Sequence, residues 1–193
     1  MNFQARSLPQ QFNVRAELEG WPAVCDVRMD FEAAPLKAVL AKWRGAARGE
    51  AMPRRTAVTT RILGEHLPIV AIVDYLEPKA GPRRYRFRHQ GSALARIRGD
   101  FSGRFVDEAL PNVLAQTWTF AFDTVLQHGA PLRFIAIHNL PGHGRWRAES
   151  LVAPLGDAHD VPSSVMTAIS YSSLDSDNTH DHARTTSNAL AGL

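Results

Sequence analysis

The sequence has a single cysteine, Cys25, among its 193 residues. One cysteine cannot form a disulfide within the chain, and this usage is typical of proteins from a reducing compartment. The first residues, MNFQARSLPQQFNVR, lack the apolar core that a secretory signal requires. No apolar run approaches the roughly 18 residues of a membrane-spanning helix. We therefore expect a cytoplasmic protein without a membrane span.

Motifs of the common enzyme classes are also missing. The sequence has no nucleophile elbow, no kinase or cyclase signature, and no glycine-rich loop that ends in Gly-Lys-Ser/Thr. Its eight histidines include no pair at metal-ligand spacing with a third ligand nearby. Asp107 and Glu108 are adjacent, and neighbours on a helix point apart, so they make a poor acid–base pair. We expect neither an enzyme nor a metal site.

Charge is present but unevenly distributed. The formal net charge is +3, from 22 basic and 19 acidic residues. Residues 83–104, however, contain seven arginines against one acidic residue, Asp100. Such a basic patch could attract nucleic acid, an anionic membrane or an acidic protein.

The N-terminal third shows little regular pattern. Residues 1–33 have no sustained period and contain Pro9, Gly20 and Pro22, which predicts an irregular arm. The next stretch, PLKAVLAKWRGA, places Leu36, Val39, Leu40 and Trp43 at helical spacing, and a second short helix is expected before Pro68. Residues 1–64 are therefore predicted to form an arm and a helical extension.

Two strands are predicted next. IVAIVDYLE is apolar and β-branched, which favours a buried strand, and RRYRFRHQ alternates strictly after a turn. Tyr85 and Phe87 should point to one face of this strand and Arg84, Arg86 and Arg88 to the other. We expect the aromatic face in the core and the arginine face covered by solvent or a partner.

Short helices and then three strands are predicted beyond this hairpin. Gly91, Gly99 and Gly103 are interpreted as turn and cap glycines that permit a positive φ. NVLAQTWTFAFDTVLQHG has the clearest helical period of the chain, and PLRFIAIHNL, GRWRAESLVAPL and SSVMTAISYSS follow as strands. The predicted fold is α+β, with a five-stranded antiparallel sheet and a helix cluster on one face, over residues 65–173. Residues 174–193 are polar and aperiodic, and we expect a flexible tail.

This order of elements, and one stretch in particular, resembles the PAS domains. RYRFRHQGSALARIRGDFSGRFVDEAL resembles a family of stand-alone bacterial PAS-like sensory proteins, whose members carry an aromatic-Arg strand, a Gly-Thr pair, a short helix and a "TGR" turn. The corresponding positions here are Phe87-Arg88, Gly91-Ser92, Gly99-Asp100 and Ser102-Gly103-Arg104. Ser92 and Ser102 replace the usual threonines and keep the hydroxyl group that caps the following turn. Trp43-Arg44, Pro53-Arg54 and GRWRAESLVAPL extend the likeness, which spans roughly residues 43–170.

The resemblance implies a sensory or regulatory module with a pocket between the sheet and the helices. Our candidates for its lining are Tyr85, Phe87, Trp118 and Phe122, which could equally fill it. The ligand and any cofactor stay open. The sequence has no flavin-photochemistry motif. His128, at the end of the long helix, is a weak candidate for a haem ligand because a helix C-terminus also favours histidine for its dipole.

The leading hypothesis is a non-catalytic PAS sensor or adaptor that binds a small ligand, a protein, or both, and signals in trans. Two alternatives stay open. One is a small enzyme that uses the pocket, and the other is nucleic-acid binding through residues 83–104, which we disfavour because aromatic and basic side chains should then share one face. We also predict a homodimer. Leu36, Leu40 and Trp43 of the amphipathic helix need a hydrophobic partner surface, which either their own sheet or a second copy could supply.

Overall fold

A computed structural model of the protein describes residues 7–76, 83–140 and 144–175. Its centre is one sheet in which every strand pairing is antiparallel. The strands are β1 (Ala23–Asp26), β2 (Val70–Leu76), β3 (Arg84–Gln90), β4 (Leu132–Leu140), β5 (Gly144–Gly156) and β6 (Pro162–Ser173). Across the sheet their order is β1-β4-β5-β6-β2-β3. The α+β class is as predicted, but the sheet has six strands rather than five.

Helices lie before β1, between β1 and β2, and between β3 and β4. They are α1 (Leu8–Glu19), α2 (Ala34–Ala47), α3 (Thr60–Leu63), α4 (Ser92–Arg98), α5 (Val106–Ala109) and α6 (Asn112–His128). Two short 3₁₀ turns, Arg55–Ala57 and Gly64–Ile69, lead into β2. From β2 onward the predicted succession of two strands, helices and three strands is present.

The expectation of an irregular arm over residues 1–33 was wrong for residues 7–33, and residues 1–6 lie outside the described residues. A helix begins where the Ser7 N–H donates to the Gln10 side chain at 3.0 Å, and it ends at Gly20, whose φ is 66°. The extra strand, β1, pairs with β4. Its outer edge is covered by Asn13, whose side-chain amide bonds both the N–H and the carbonyl of Cys25, at 2.7 and 3.0 Å.

Both faces of the sheet carry a hydrophobic core. On one face, α1, α5 and α6 pack through Phe12, Val106, Phe122 and Val125. On the other face α2 packs across β2, β5 and β6. In the predicted extension, β1 therefore belongs to the same sheet as the strands of residues 65–173, and α1 and α2 pack on the faces of that sheet.

At the opposite edge, β3 is covered as well. The Phe87 N–H donates to the carbonyl of Arg104 at 3.0 Å, and the Gly103 N–H donates to the carbonyl of Phe87 at 2.7 Å. Because an uncovered edge strand invites pairing with another chain, these contacts disfavour association through β3.

Within the described ranges, no helix is long and apolar enough to cross a membrane. The predicted turn after β2 (residues 77–82), part of the turn before β5, and the tail beyond residue 175 lie outside the described residues.

Cys25 is expected to resist thiol reagents in the folded protein. Its side chain is buried, and burial, followed by the charge of Asp26, raises the pKa of the thiol from 9.0 to about 12. Three pKa units correspond to about a thousandfold less thiolate, which is the reactive form. We expect a chromogenic disulfide at pH 8 to label the native protein about a hundredfold or more slower than the protein in guanidinium chloride. Equal rates in the two states would contradict the packing of β1.

Candidate functional site: a cavity beneath the long helix

A cavity of about 230 Å³ lies between α6 and the sheet. Helix α6 forms one side of it, strands β4, β5 and β6 form the other, and the N-terminal segment adds a third wall. Its lining is mainly apolar and consists of Phe12, Pro22, Ala23, Pro111, Val113, Leu114, Thr117, Trp118, Ala121, Phe134, Ala136, His138, Ala148, Ser150, Ile169 and Tyr171.

Alanine residues at facing positions leave this space open. Ala136 on β4 and Ala148 on β5 are cross-strand partners and form a floor without large side chains. Ala121 of α6 and Ala23 of β1 also line the cavity. Protein interiors are otherwise close-packed, so a gap of this size between a helix and a sheet marks a place where a ligand can replace missing side chains.

Three polar side chains in the cavity, those of Ser150, His138 and Trp118, have no hydrogen-bond partner in the part of the chain that the structure describes. Ser150 on β5 is only 4% exposed, and His138 on β4 is half-buried. Buried polar groups in proteins are normally paired, so an unpaired hydroxyl facing a cavity points to a missing partner. Thr117 and Tyr171 are satisfied: Thr117 donates to the carbonyl of Val113 at 2.7 Å, and the Tyr171 hydroxyl accepts from Arg98 at 2.9 Å.

His138 is neutral in this environment. Burial lowers the pKa of its imidazole to about 4, and the positive charge of Arg98 adds to the effect. At neutral pH the ring can therefore donate one hydrogen bond and accept another, but it brings no charge to the cavity.

Of the four predicted pocket residues, Trp118 lines the cavity. Tyr85, Phe87 and Phe122 instead pack in the hydrophobic core beside it. The Tyr85 hydroxyl donates to the carboxylate of Asp123 at 2.7 Å, and the ring centroids of Tyr85 and Phe122 are 5.1 Å apart. These three side chains fill space rather than enclose it.

His138, Ser150 and Tyr171 also line the cavity, but they were not predicted as pocket residues. A signal existed in the period-two pattern of the last three strands, because Phe134, Ala136 and His138 occupy alternate positions of β4 and share a face. A serine within the apolar run of β5 was a second signal. A third signal was the small size of the alanine residues at the same level of β4 and β5.

The arginine face of β3 is largely paired with acidic side chains. Arg88 donates to Asp74 on the neighbouring strand at 2.8 Å, and Arg84 contacts Asp107 and Glu108 at 2.8 and 2.7 Å. Arg86 lies 3.9 Å from Asp74. The hydrogen bond from Arg84 lowers the pKa of Asp107, as expected for a carboxylate beside a cation.

The predicted dimer helix is occupied within its own chain. Leu36, Leu40 and Trp43 are each at most 5% exposed and pack against β2, β5 and β6. The Trp43 indole N–H donates to the carbonyl of Pro154 on β5 at 3.0 Å. Packing on its own sheet therefore satisfies these side chains, and they give no support to a second copy.

Other candidate places offer less. A surface hollow of about 500 Å³ beside Lys42 and Arg48 is lined by side chains that are all at least partly exposed. His128 is exposed at the end of α6 and lies off the cavity. Over the described residues, His, Cys, Asp and Glu side chains form no group of three or more that could hold a metal ion; His143, His180 and His182 lie outside those residues.

Comparison with known proteins gives little further information. No family model matches the chain, and no curated protein matches it. Among the solved structures that are similar is that of an RNA-binding light-oxygen-voltage receptor, with 14% identity and a TM-score of 0.37. The match covers 61% of this chain and 35% of that chain, so it extends over about a third of the receptor.

Proposed function

We propose that this protein is a PAS-like sensory module of the cytoplasm that binds a small molecule in the cavity beneath α6 and regulates a protein partner in trans. The observation that carries the proposal is the apolar cavity with the unpaired Ser150 hydroxyl inside it. The resemblance of residues 84–110 to the PAS-like sensory proteins and the succession of two strands, helices and three strands are consistent with it. Because one fold supports many activities, the site and not the fold carries the proposal.

A non-catalytic role is favoured by the chemistry of the cavity. The titratable groups in its lining are His138 and Tyr171. Within the described residues no carboxylate is bonded to His138 to orient it as a general base, and the Tyr171 hydroxyl is engaged by Arg98. A retained ligand should therefore be released unchanged, whereas a retained ligand that is converted on incubation would favour the enzyme alternative.

Nucleic-acid binding through residues 83–104 has less support than ligand binding. Arg84 and Arg88 hold carboxylates, and a phosphate would have to displace these partners. Homodimerisation stays a prediction that light scattering of the intact chain measures. A variant that lacks residues 1–50 could not be used to locate a dimer interface, because the deletion removes α1, β1 and α2, which supply core side chains.

Filling the cavity is expected to abolish ligand retention without unfolding the protein. In Ala148→Leu, the added side chain would occupy the floor of the cavity, and the partner Ala136 offers the same test from β4. Ala41→Leu, at an exposed position of α2, is the matched control. Native mass spectrometry of protein purified from cells, with thermal unfolding as a check of folding, measures the outcome.

We expect wild type and Ala41→Leu to retain a small molecule and Ala148→Leu to lose it. Ala148→Leu should also fail to recover the protein partner in an affinity pull-down. Retention by all three proteins would place the ligand elsewhere. If wild type retains nothing and Ala148→Leu recovers the same partners as wild type, the proposed function is wrong.

A further inference from the structure

The size of the cavity limits the ligand. Pockets for drug-sized molecules measure roughly 300–1,000 Å³, and this one measures about 230 Å³. The ligand should therefore be smaller than a typical drug or nucleotide, in the range of a bicyclic ring system.

The walls favour a flat molecule. The alanine pair Ala136 and Ala148 forms one side, and α6 presents Ala121 and Trp118 on the other. The rings of Phe12 and Phe134 also line the cavity. Aromatic side chains attract aromatic ligands through offset and edge-to-face contacts, beyond the burial of apolar surface.

Among the residues that the structure describes, no charged side chain lines the cavity to neutralise a charged ligand. This part of the lining contains no Lys, Arg, Asp or Glu, and His138 is neutral. Arg98, whose charge acts on His138, already donates to the Tyr171 hydroxyl. Burying an unpaired charge in such a place costs much more than burying a neutral polar group.

The cavity is polar at two separate levels. Ser150 is paired across strands with Phe134, and His138 is paired with Trp146, so four residues of β5 separate the two levels. At about 3.4 Å per residue this corresponds to about 14 Å along the strand. Ser150, the more buried of the two, marks the closed end, and the half-buried His138 marks the open end.

From these observations we infer that the cavity selects an uncharged, flat aromatic molecule whose hydroxyl or N–H group is bonded by Ser150 at the closed end. This inference rests on the proposed function, but it makes a separate claim about the class of ligand. Ser150 supplies one donor and two acceptor positions, which suits a phenol-like hydroxyl or an indole-like N–H.

Three probes of the same bicyclic skeleton test this inference by isothermal titration calorimetry: 2-naphthol, naphthalene and 2-naphthoate. We expect 2-naphthol to bind most tightly. Ser150→Ala should weaken 2-naphthol about threefold to tenfold, the usual effect of one neutral hydrogen bond, and leave naphthalene within about twofold. Ser170→Ala, on the other face of the sheet and paired with Glu149, is the control and should change neither affinity. Ala148→Leu should abolish binding of all three probes.

The outcomes separate this inference from the proposed function. Tighter binding of 2-naphthoate than of 2-naphthol would overturn the claim of an uncharged ligand. An unchanged affinity ratio of 2-naphthol to naphthalene in Ser150→Ala would overturn the role of Ser150. If no probe binds while the wild-type protein retains a natural molecule that Ala148→Leu loses, the ligand class is wrong and the proposed function stands.

Discussion

Replacement of Arg133 by methionine is expected to lower the free energy of unfolding by about 3–5 kcal/mol, the usual cost of removing one member of a buried ionic group. Arg133 on β4 is 5% exposed. Its guanidinium donates to Glu149 on β5 at 2.7 Å and to Asp26 on β1 at 2.9 Å. Methionine has a similar length but no charge, so the buried Glu149 would lose its cation and Asp26 would keep only the exposed Arg28.

The same ionic group attaches the N-terminal segment to the sheet. Glu149 accepts the backbone N–H groups of Glu32 and Ala33, at 3.0 and 2.9 Å, where the chain enters α2. Asp26 is the last residue of β1. We therefore expect the loss of Arg133 to loosen β1 and the start of α2 before the rest of the sheet, which faster amide hydrogen exchange in those segments would reveal.

Arg147→Met is the matched control. Arg147 lies on β5 and pairs with Glu32 at 2.6 and 2.8 Å, but Glu32 is 67% exposed. Exposed ion pairs contribute about 0–1 kcal/mol, so this variant should unfold close to wild type in urea. Equal destabilisation by the two substitutions would contradict the special role assigned to the buried arginine.

The two variants should also differ in their response to acid. Burial alone would raise the pKa of Glu149, but the N–H groups of Ala33 and Glu32 and the bond from Arg133 lower it by more, so the pKa lies below the ordinary 4.5. A carboxylate with a lowered folded-state pKa stabilises the protein fully above its unfolded-state pKa and loses this contribution as the pH falls. Wild type should therefore lose stability below about pH 4.5, and Arg133→Met should lose less of it over the same interval.

Local patterns were enough to predict the hairpin of β2 and β3. The alternation in RRYRFRHQ places Tyr85 and Phe87 in the core and Arg84, Arg86 and Arg88 on the opposite face, as the structure has them. Side-chain direction in a strand depends only on the backbone of that strand, so the sequence is sufficient. What the arginines contact could not be predicted, because Asp74 and Asp107 come from other elements, 14 and 23 residues away.

The N-terminal strand could not be predicted for a different reason. β1 has only four residues, and its pairing with β4 joins positions more than 100 residues apart. Its outer edge depends on two hydrogen bonds with the Asn13 side chain, which donates one and accepts the other. A short strand carries too few residues for a period, and long-range pairing leaves no local signal.

The cavity itself is the least predictable feature. Ala121, Ala136 and Ala148 are ordinary apolar residues in their helix and strands, and each satisfies the pattern of a buried position. A gap arises only because they line the same space, which depends on how α6 lies across the sheet. Large aromatic residues such as Tyr85 and Phe122 are the usual candidates for a pocket lining, but here they fill the hydrophobic core. The cavity forms where the small residues lie beside them.

Gly91→Ala is expected to destabilise the protein by about 2–4 kcal/mol, through overpacking against backbone rather than through backbone strain. Gly91 precedes α4 with a φ of −64°, which any residue adopts, so its role as a positive-φ turn glycine, expected from the sequence, was wrong. A Cβ atom at this position would lie less than 3.0 Å from the carbonyl oxygens of Leu67 and Pro68. The Gly91 N–H also donates to the carbonyl of Val70 at 2.8 Å, which holds the two segments together. The carbonyls belong to backbone and cannot rotate away, so α4 would have to shift from the start of β2.

Gly45→Ala separates this effect from the general effect of adding a methyl group. Gly45 is exposed within α2, and a Cβ atom there meets nothing within 4 Å. Since glycine costs a helix about 0.5–1 kcal/mol relative to alanine, Gly45→Ala should raise the free energy of unfolding by that amount. Urea denaturation of the two variants beside wild type should therefore give changes of opposite sign. If Gly91→Ala unfolds at the same urea concentration as wild type, residues 67–70 and the turn before α4 are not in the close contact described here.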